Sequence, residues 1–121
     1  MTALAVLTRT GYLLGGLDQW RRTTGVLRAH LCAAPLVAFT HPDDVGEYVR
    51  LFELAELRDV VGALRIGYHE RRVLCRVALA QWAGHRSAIQ LTPIVPLSTD
   101  AWWLPADTYA AQPAMPTALW A

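Results

Sequence analysis

The chain has 121 residues, a net charge of +1 and a hydrophobic fraction of 54%, which is the size and composition of one globular domain. So small a net charge gives no overall field that draws the protein to nucleic acid or to a membrane. The longest apolar stretch, residues 31–39, contains a proline and is far shorter than the about 20 residues of a transmembrane helix. The sequence therefore predicts a soluble cytoplasmic protein without membrane contact.

The sequence contains none of the common catalytic or cofactor-binding motifs: G-x-S-x-G, a glycine-rich phosphate loop, H-E-x-x-H or C-x-x-C. Its two cysteines, Cys32 and Cys75, have no metal or redox spacing and are expected to be reduced core groups, although a disulfide between them stays open. We therefore expect no cofactor, and a binding protein is favoured over an enzyme.

The first half of the chain predicts a short strand at 3–8, a glycine-rich loop at 10–16 and a helix from Leu17 to Leu31. Leu17, Trp20, Thr24, Leu27 and Leu31 recur at helical spacing and form one apolar face. The helix contains Gly25, which costs about 1 kcal/mol relative to Ala.

Pro35 should end that helix, and residues 35–40 then predict a strand buried on both faces. A second helix is expected from Pro42 to about Gly62, with an apolar stripe that starts at Val45 and Val49. A break near 52–55 is an alternative, because residues 48–54 would also suit a strand.

Residues 72–82 and 86–95 predict a β-hairpin, because apolar residues alternate along both segments. A three-residue loop at 83–85 places all the apolar side chains on one face, whereas a two-residue loop does not. This register pairs Leu79 with Ile89, Val77 with Leu91 and Val73 with Val95.

Together these elements predict an α+β fold: a small two-layer sandwich with a mixed sheet, two helices on one face and a C-terminal hairpin. From residue 97 the sequence contains no arginine and three of the seven prolines. We therefore expect a single domain at 1–98 and an extended aromatic arm at 99–121.

The hairpin and the residues before it carry an arginine-rich surface. Its candidate residues for contact with a partner or with nucleic acid are Arg65, Arg71, Arg72, Arg76, Trp82 and Arg86. Arginine and aromatic side chains on a β-ribbon can hold phosphates and stack on bases. The alternatives are an ordinary solvated face and a surface for a protein partner.

The arm carries four large aromatic side chains, Trp102, Trp103, Tyr109 and Trp120, with Asp100 and Asp107 as its only charges. Exposed aromatic residues usually mark a contact surface. The arm could cover its own sheet, or it could dock on a second subunit and make a homo-oligomer.

The tetrapeptide His41-Pro42-Asp43-Asp44 follows the apolar run at 35–40 and opens a helix. This pattern resembles the zinc-dependent PIG-L-type N-acetylglucosaminyl deacetylases. The resemblance implies that His41 and Asp44 bind zinc and that Asp43 is the general base for a metal-bound water. It also requires a further histidine downstream, where His69 and His85 are available.

The same four residues also have the composition of a helix start. Proline is favoured at the first helical position, and acidic residues in the first turn complement the helix dipole. Either Thr40 or His41 would then be the N-cap. This is the interpretation that we adopt, with no metal site, and zinc binding by His41 and Asp44 is kept as an alternative.

These features favour a non-enzymatic binding or assembly protein, for example a structural component of a phage particle or mobile element located in the virion. It would contact a protein partner or a second copy of itself through the hairpin face and the arm. A nucleic-acid-binding protein using residues 65–86 and a small zinc hydrolase at His41, Asp43 and Asp44 are the alternatives.

Overall fold

The computed structural model describes residues 3–26, 28–68, 71–81 and 87–105. Within these ranges, five strands form one sheet: β1 (Ala3–Leu7), β2 (Leu13–Leu14), β3 (Val60–Tyr68), β4 (Arg71–Gln81) and β5 (Ser87–Pro96). The same ranges contain four helices: α1 (Leu17–Thr24), α2 (Arg28–Ala33), α3 (Val45–Leu54) and α4 (Thr99–Trp102). Two short 3-10 turns, Leu36–Phe39 and Pro42–Asp44, lie between α2 and α3. The predicted α+β two-layer sandwich is confirmed.

The strand order in the sheet is β2-β1-β5-β4-β3, and every pairing is antiparallel. The prediction of a mixed sheet is therefore wrong. It depended on a central strand at residues 35–40, which the structure does not contain. The central strands are instead β5 and β4, the two arms of the predicted hairpin.

The predicted helix at 17–31 is divided into α1 and α2 at Gly25. This glycine has a φ of +79° and its N–H donates to the Arg21 carbonyl at 2.8 Å. It is thus a left-handed C-cap, a conformation that glycine adopts with the least strain. Trp20, the largest residue of the predicted apolar face, is completely buried.

The strand prediction for residues 35–40 is wrong, because residues Leu36–Phe39 form a 3-10 turn. Only Thr40 has a strand-like partner, an isolated antiparallel bridge to Ile66. A short apolar run indicates burial but does not distinguish a strand from a helical turn. Leu36 and Phe39 are buried as predicted.

The second predicted helix starts in the expected place but ends much earlier. Helix α3 stops at Leu54, and the residues from Val60 onward form β3. Gly62, which was predicted to end the helix, is inside β3, where an added Cβ would lie 2.7 Å from the Leu51 side chain. The glycine therefore allows α3 to approach the sheet closely.

The predicted hairpin is confirmed as β4 and β5, and Leu79 pairs with Ile89 and Val77 with Leu91. The register shifts between Leu74 and Cys75, so that Val73 pairs with Pro96 and not with Val95. The predicted loop at 83–85 lies outside the described residues.

The sheet has a hydrophobic cluster on each face. The inner cluster lies between the sheet and α1, α2 and α3, and its buried residues include Leu7, Trp20, Leu51, Leu64, Cys75 and Ile89. The outer face carries a smaller cluster of Leu74, Leu97 and Trp102. Cys75 is buried, but Cys32 is exposed, and both are free thiols, so the predicted core role fails for Cys32. No helix within the described ranges is long and apolar enough to cross a membrane.

Candidate functional site

Arg65 is the centre of a buried polar cluster at the edge of the sheet. Its side chain is 1% exposed. Its Nη2 and Nε donate to the two carboxylate oxygens of Asp44 at 2.7 and 2.9 Å, and its backbone N–H donates to the same carboxylate. Its Nη1 donates to the carbonyls of Trp102 and Leu104 at 3.0 and 2.6 Å. One guanidinium thus joins the residue that precedes α3 to the residues at the end of α4.

His41 lies beside this cluster and is fully buried. Its ring centroid is 4.6 Å from the ring centroids of both Trp102 and Trp103. Its Nδ1 accepts a hydrogen bond from the Asp43 N–H at 3.0 Å, so His41 is the N-cap of the turn Pro42–Asp44. The structure supports the capping interpretation and selects His41 over Thr40, whose hydroxyl donates to the Leu36 carbonyl.

Burial lowers the pKa of His41 below its ordinary value, and the positive charge of Arg65 lowers it further. The carboxylates of Asp44 and Asp43 and the backbone of Trp102 act in the opposite direction and are outweighed. His41 is therefore neutral at pH 7, which agrees with an Nδ1 that accepts a hydrogen bond.

Helix α4 lies on the outer face of the sheet, where the Ser98 hydroxyl caps its start by accepting from the Ala101 N–H at 3.1 Å. Trp102 packs over Gly67 of β3, and a Cβ added there would lie 3.0 Å from the indole ring. The missing side chain at Gly67 therefore makes room for Trp102.

A cleft of about 480 Å³ lies between the C-terminal end of α1 and the C-terminal end of β5. Its lining is Arg22, Thr23, Arg71, Arg72, Val73 and residues 93–97. The Thr23 side chain is buried, and its hydroxyl has no hydrogen-bond partner among the described residues. In the described part of the chain, the lining contains three arginines and no acidic residue. The volume is within the range of small-molecule sites.

Arg72 connects this cleft to α4. Its Nη1 donates to the Thr99 hydroxyl at 3.2 Å, and its guanidinium carbon lies 5.9 Å from the centroid of the Trp102 ring. Arg72 therefore lines the cleft and also contacts the first and last residues of α4.

The structure separates the arginines that the sequence grouped on one surface. Arg65 and Arg76 are buried, with exposed fractions of 1% and 3%, and they are not available to bind phosphates. Arg71 and Arg72 lie at the cleft. Trp82 and Arg86 lie outside the described residues.

The predicted arm residues also have different environments. Trp102 is buried against the sheet, whereas Trp103 is 59% exposed. Tyr109 and Trp120 lie outside the described residues. The division of the chain at residue 98 and a contact role for the four aromatic residues stay predictions.

The predicted zinc ligands have other partners. Both oxygens of Asp44 accept from Arg65, and His41 is a cap between two indole rings. In the described part of the chain no three His, Cys, Asp or Glu side chains come together as a metal site would require. His69 and His85 lie outside that part.

Sequence reasoning missed the cleft itself. Arg22 and Thr23 end a helix, and residues 93–97 end a strand about 70 positions later. The two segments meet only because the sheet order places β5 between β1 and β4. The sequence contains no local signal for such a meeting.

No protein-family model and no curated protein sequence matches the chain. Among solved structures, it is similar to the PAS domain of the Cronobacter turicensis RpfR quorum-sensing receptor in complex with BDSF. The TM-score is 0.61 at 12% sequence identity, with 78% of this chain and 94% of that chain covered. A PAS domain from a two-component sensor histidine kinase gives a TM-score of 0.55 at 17% identity, covering 79% and 85%.

These similarities correct the function predicted from the sequence. The similar structures are domains of a receptor and of a sensor kinase, and the prediction of a phage or mobile-element assembly protein is wrong. The nucleic-acid alternative fails as well, because Arg65 and Arg76 are buried. The zinc-hydrolase alternative fails because Asp44 is held by Arg65. Both similarities show that this chain has the fold of a PAS domain.

Proposed function

We propose that the protein is a sensory domain that binds a small anionic molecule in the cleft and passes the event to the residues after β5. The fold supports a sensory role, because the similar structures belong to a quorum-sensing receptor and a sensor histidine kinase. The observation that carries the proposal is Arg72, which lines the cleft and contacts both ends of α4.

The chemistry of the cleft indicates the class of ligand. Arg22, Arg71 and Arg72 offer guanidinium donors, which bind carboxylates and phosphates in a two-point geometry. Val73, Ile94 and Val95 add apolar surface, and the Thr23 hydroxyl can accept or donate one hydrogen bond. A small molecule with an acidic group and an apolar body fits this combination.

The output step follows from the two sets of contacts that Arg72 makes. An acidic ligand attracts the Arg72 guanidinium away from the Thr99 hydroxyl, because a guanidinium binds an anionic acceptor more strongly than a neutral hydroxyl. Helix α4 then loses a contact at each end, while Arg65 still holds its last turn. Binding thus changes the position or mobility of α4 and of the chain that follows. The ligand acts through its different affinities for the two positions of Arg72.

A ligand screen with matched charges tests this function. A panel of small aliphatic and aromatic carboxylates is titrated into the full chain, each beside its uncharged primary amide, while the indole N–H signal of Trp102 is followed by NMR. We expect some carboxylates to bind and to shift this signal, and the amides to have no effect.

Three variants separate binding from output. Arg72→Gln should weaken binding by about tenfold or more, since a hydrogen bond to a charged group contributes about 1.5–3 kcal/mol, and should abolish the response of Trp102. Arg71→Gln should weaken binding and keep the response at saturation. Arg58→Gln, an exposed arginine outside the cleft, should behave like the wild type. If no carboxylate binds, or if binding leaves Trp102 unchanged, the proposal is wrong.

A further inference from the structure

The outer face of the sheet has a second concave region, which is distinct from the cleft and has a volume of about 460 Å³. The strand register arranges its side chains in two rows across the sheet. The first row is Val61, Ala78, Gln90 and Leu4, and the second is Ala80, Ala88 and Val6. We refer to these seven residues as the outer groove.

The outer groove is apolar and exposed. Leu4 is 59% exposed and Val61 47%, whereas the three alanines are too small to fill the space between them. Gln90 and the nearby Asp59 are the polar side chains among its lining residues. Such a surface lacks the convergent polar groups that fix a small ligand, and it is typical of a surface that another piece of protein covers.

The described chain ends on the same face of the sheet. The Leu104 carbonyl accepts a hydrogen bond from Arg65 at 2.6 Å. Arg65 is four residues from Val61 along β3, a distance of about 13 Å at roughly 3.3 Å per residue. Residues 106–121 span about 50 Å when extended, so this segment is long enough to reach the outer groove from Leu104.

The composition of residues 106–121 matches the outer groove. The segment carries one charge, Asp107, and its large side chains are Tyr109, Met115, Leu119 and Trp120. Pro113 and Pro116 lack the N–H groups of a strand ladder, so the segment would attach by its side chains. A segment already tethered beside the groove has a high effective concentration there, which favours it over a second copy of the protein.

We propose that residues 106–121 pack into the outer groove of their own chain and cover the sheet face beside α4, with Tyr109 and Trp120 over the three alanines. This packing joins the last part of the chain to the same sheet face that holds α4. It does not depend on the ligand or on the cleft.

The test uses nuclear Overhauser contacts in the full chain with ¹³C-labelled alanine methyl groups. We expect contacts from the rings of Tyr109 and Trp120 to the methyl groups of Ala78, Ala80 and Ala88. In a sample that mixes labelled and unlabelled chains, a nuclear Overhauser measurement that selects contacts between different molecules should give no signal for these methyl groups.

A double variant checks the same packing without the wild-type contacts. Tyr109→Ala with Trp120→Ala should expose the Ala78 methyl group to a soluble paramagnetic probe, whereas Leu57→Ala, at a position 83% exposed and outside the groove, should not. Contacts found only between different molecules would show that a second copy occupies the groove and would overturn the proposal. The proposal is equally wrong if the three methyl groups are accessible to the probe in the wild type.

Discussion

The guanidinium of Arg65 and the carboxylate of Asp44 form a two-point ion pair, with both side chains at most 9% exposed. Asp44 precedes α3 on the helical side of the sheet. Arg65 also donates hydrogen bonds to the carbonyls at the end of α4. The pair therefore joins the helical layer to the segment on the outer face of the sheet, beside the packing of His41 against Trp102 and Trp103.

Removal of one partner of this pair should be strongly destabilising. We expect Asp44→Asn or Arg65→Met to lower the free energy of unfolding by about 3–5 kcal/mol, because each leaves a buried group without its partner. Urea denaturation measures the loss. Glu47→Gln, which breaks the exposed pair between Arg50 and Glu47, should cost less than about 1 kcal/mol. Equal losses at the two sites would contradict the central role of Arg65.

Substitution of Gly67 should displace Trp102. An added Cβ lies 3.0 Å from the indole, and we expect Gly67→Ala to cost about 1–3 kcal/mol and to speed amide exchange in α4. Gly46→Ala is the matched control, because nothing lies within 4 Å of a Cβ there and alanine favours the helix by about 1 kcal/mol. Unchanged exchange in α4 after Gly67→Ala would show that Trp102 does not need this space.

The stability of the domain should fall in mildly acidic solution because of His41. Its folded-state pKa is lowered from 6.5, so the unfolded chain binds a proton at a higher pH than the folded one. The contribution of His41 to the free energy of unfolding should be constant above about pH 6.5. It should decrease as the pH falls towards the folded-state pKa. His41→Asn, which can still cap the turn, should flatten this decrease. His30→Asn, at an exposed position, is the control and should leave it in place.

The two thiols should differ widely in reactivity. Burial raises the pKa of Cys75 to about 12, so almost no reactive thiolate forms at neutral pH, whereas Cys32 is exposed. A thiol reagent should modify one cysteine rapidly in the folded protein and the second only on unfolding. Mass spectrometry identifies the sites, and rapid modification of Cys75 would mean that the inner core opens easily.

The alternation of apolar residues predicted the hairpin well, because one register places all the apolar side chains of both strands on the same face. It pairs Leu79 with Ile89 as expected. The same alternation did not predict that Arg76 is buried. It shows on which face of the sheet a side chain lies, but not whether that face is covered. Helix α4 and the cluster around Trp102 cover part of the outer face. The sequence signal for this cover was a tryptophan that follows the hairpin.

Glycine in β3 was the most misleading signal. Gly62 suggested a helix end, but Gly62 and Gly67 lie on opposite faces of one strand and admit Leu51 and Trp102 respectively. A single sequence does not show which large side chain fills the space that a glycine leaves. The meeting of His41, Asp44, Arg65 and Trp102, which the sequence assigned to three separate features, was unpredictable for the same reason.

The isolated bridge between Thr40 and Ile66 has a further consequence. Strand β3 is at the edge of the sheet, and edge strands are templates for uncontrolled pairing with other chains. The bridge, with the hydrogen bond from the His41 N–H to the Arg65 carbonyl at 2.8 Å, occupies this edge in the second half of the strand. The opposite edge, β2, has only two residues. Both edges are thus poor templates for aggregation.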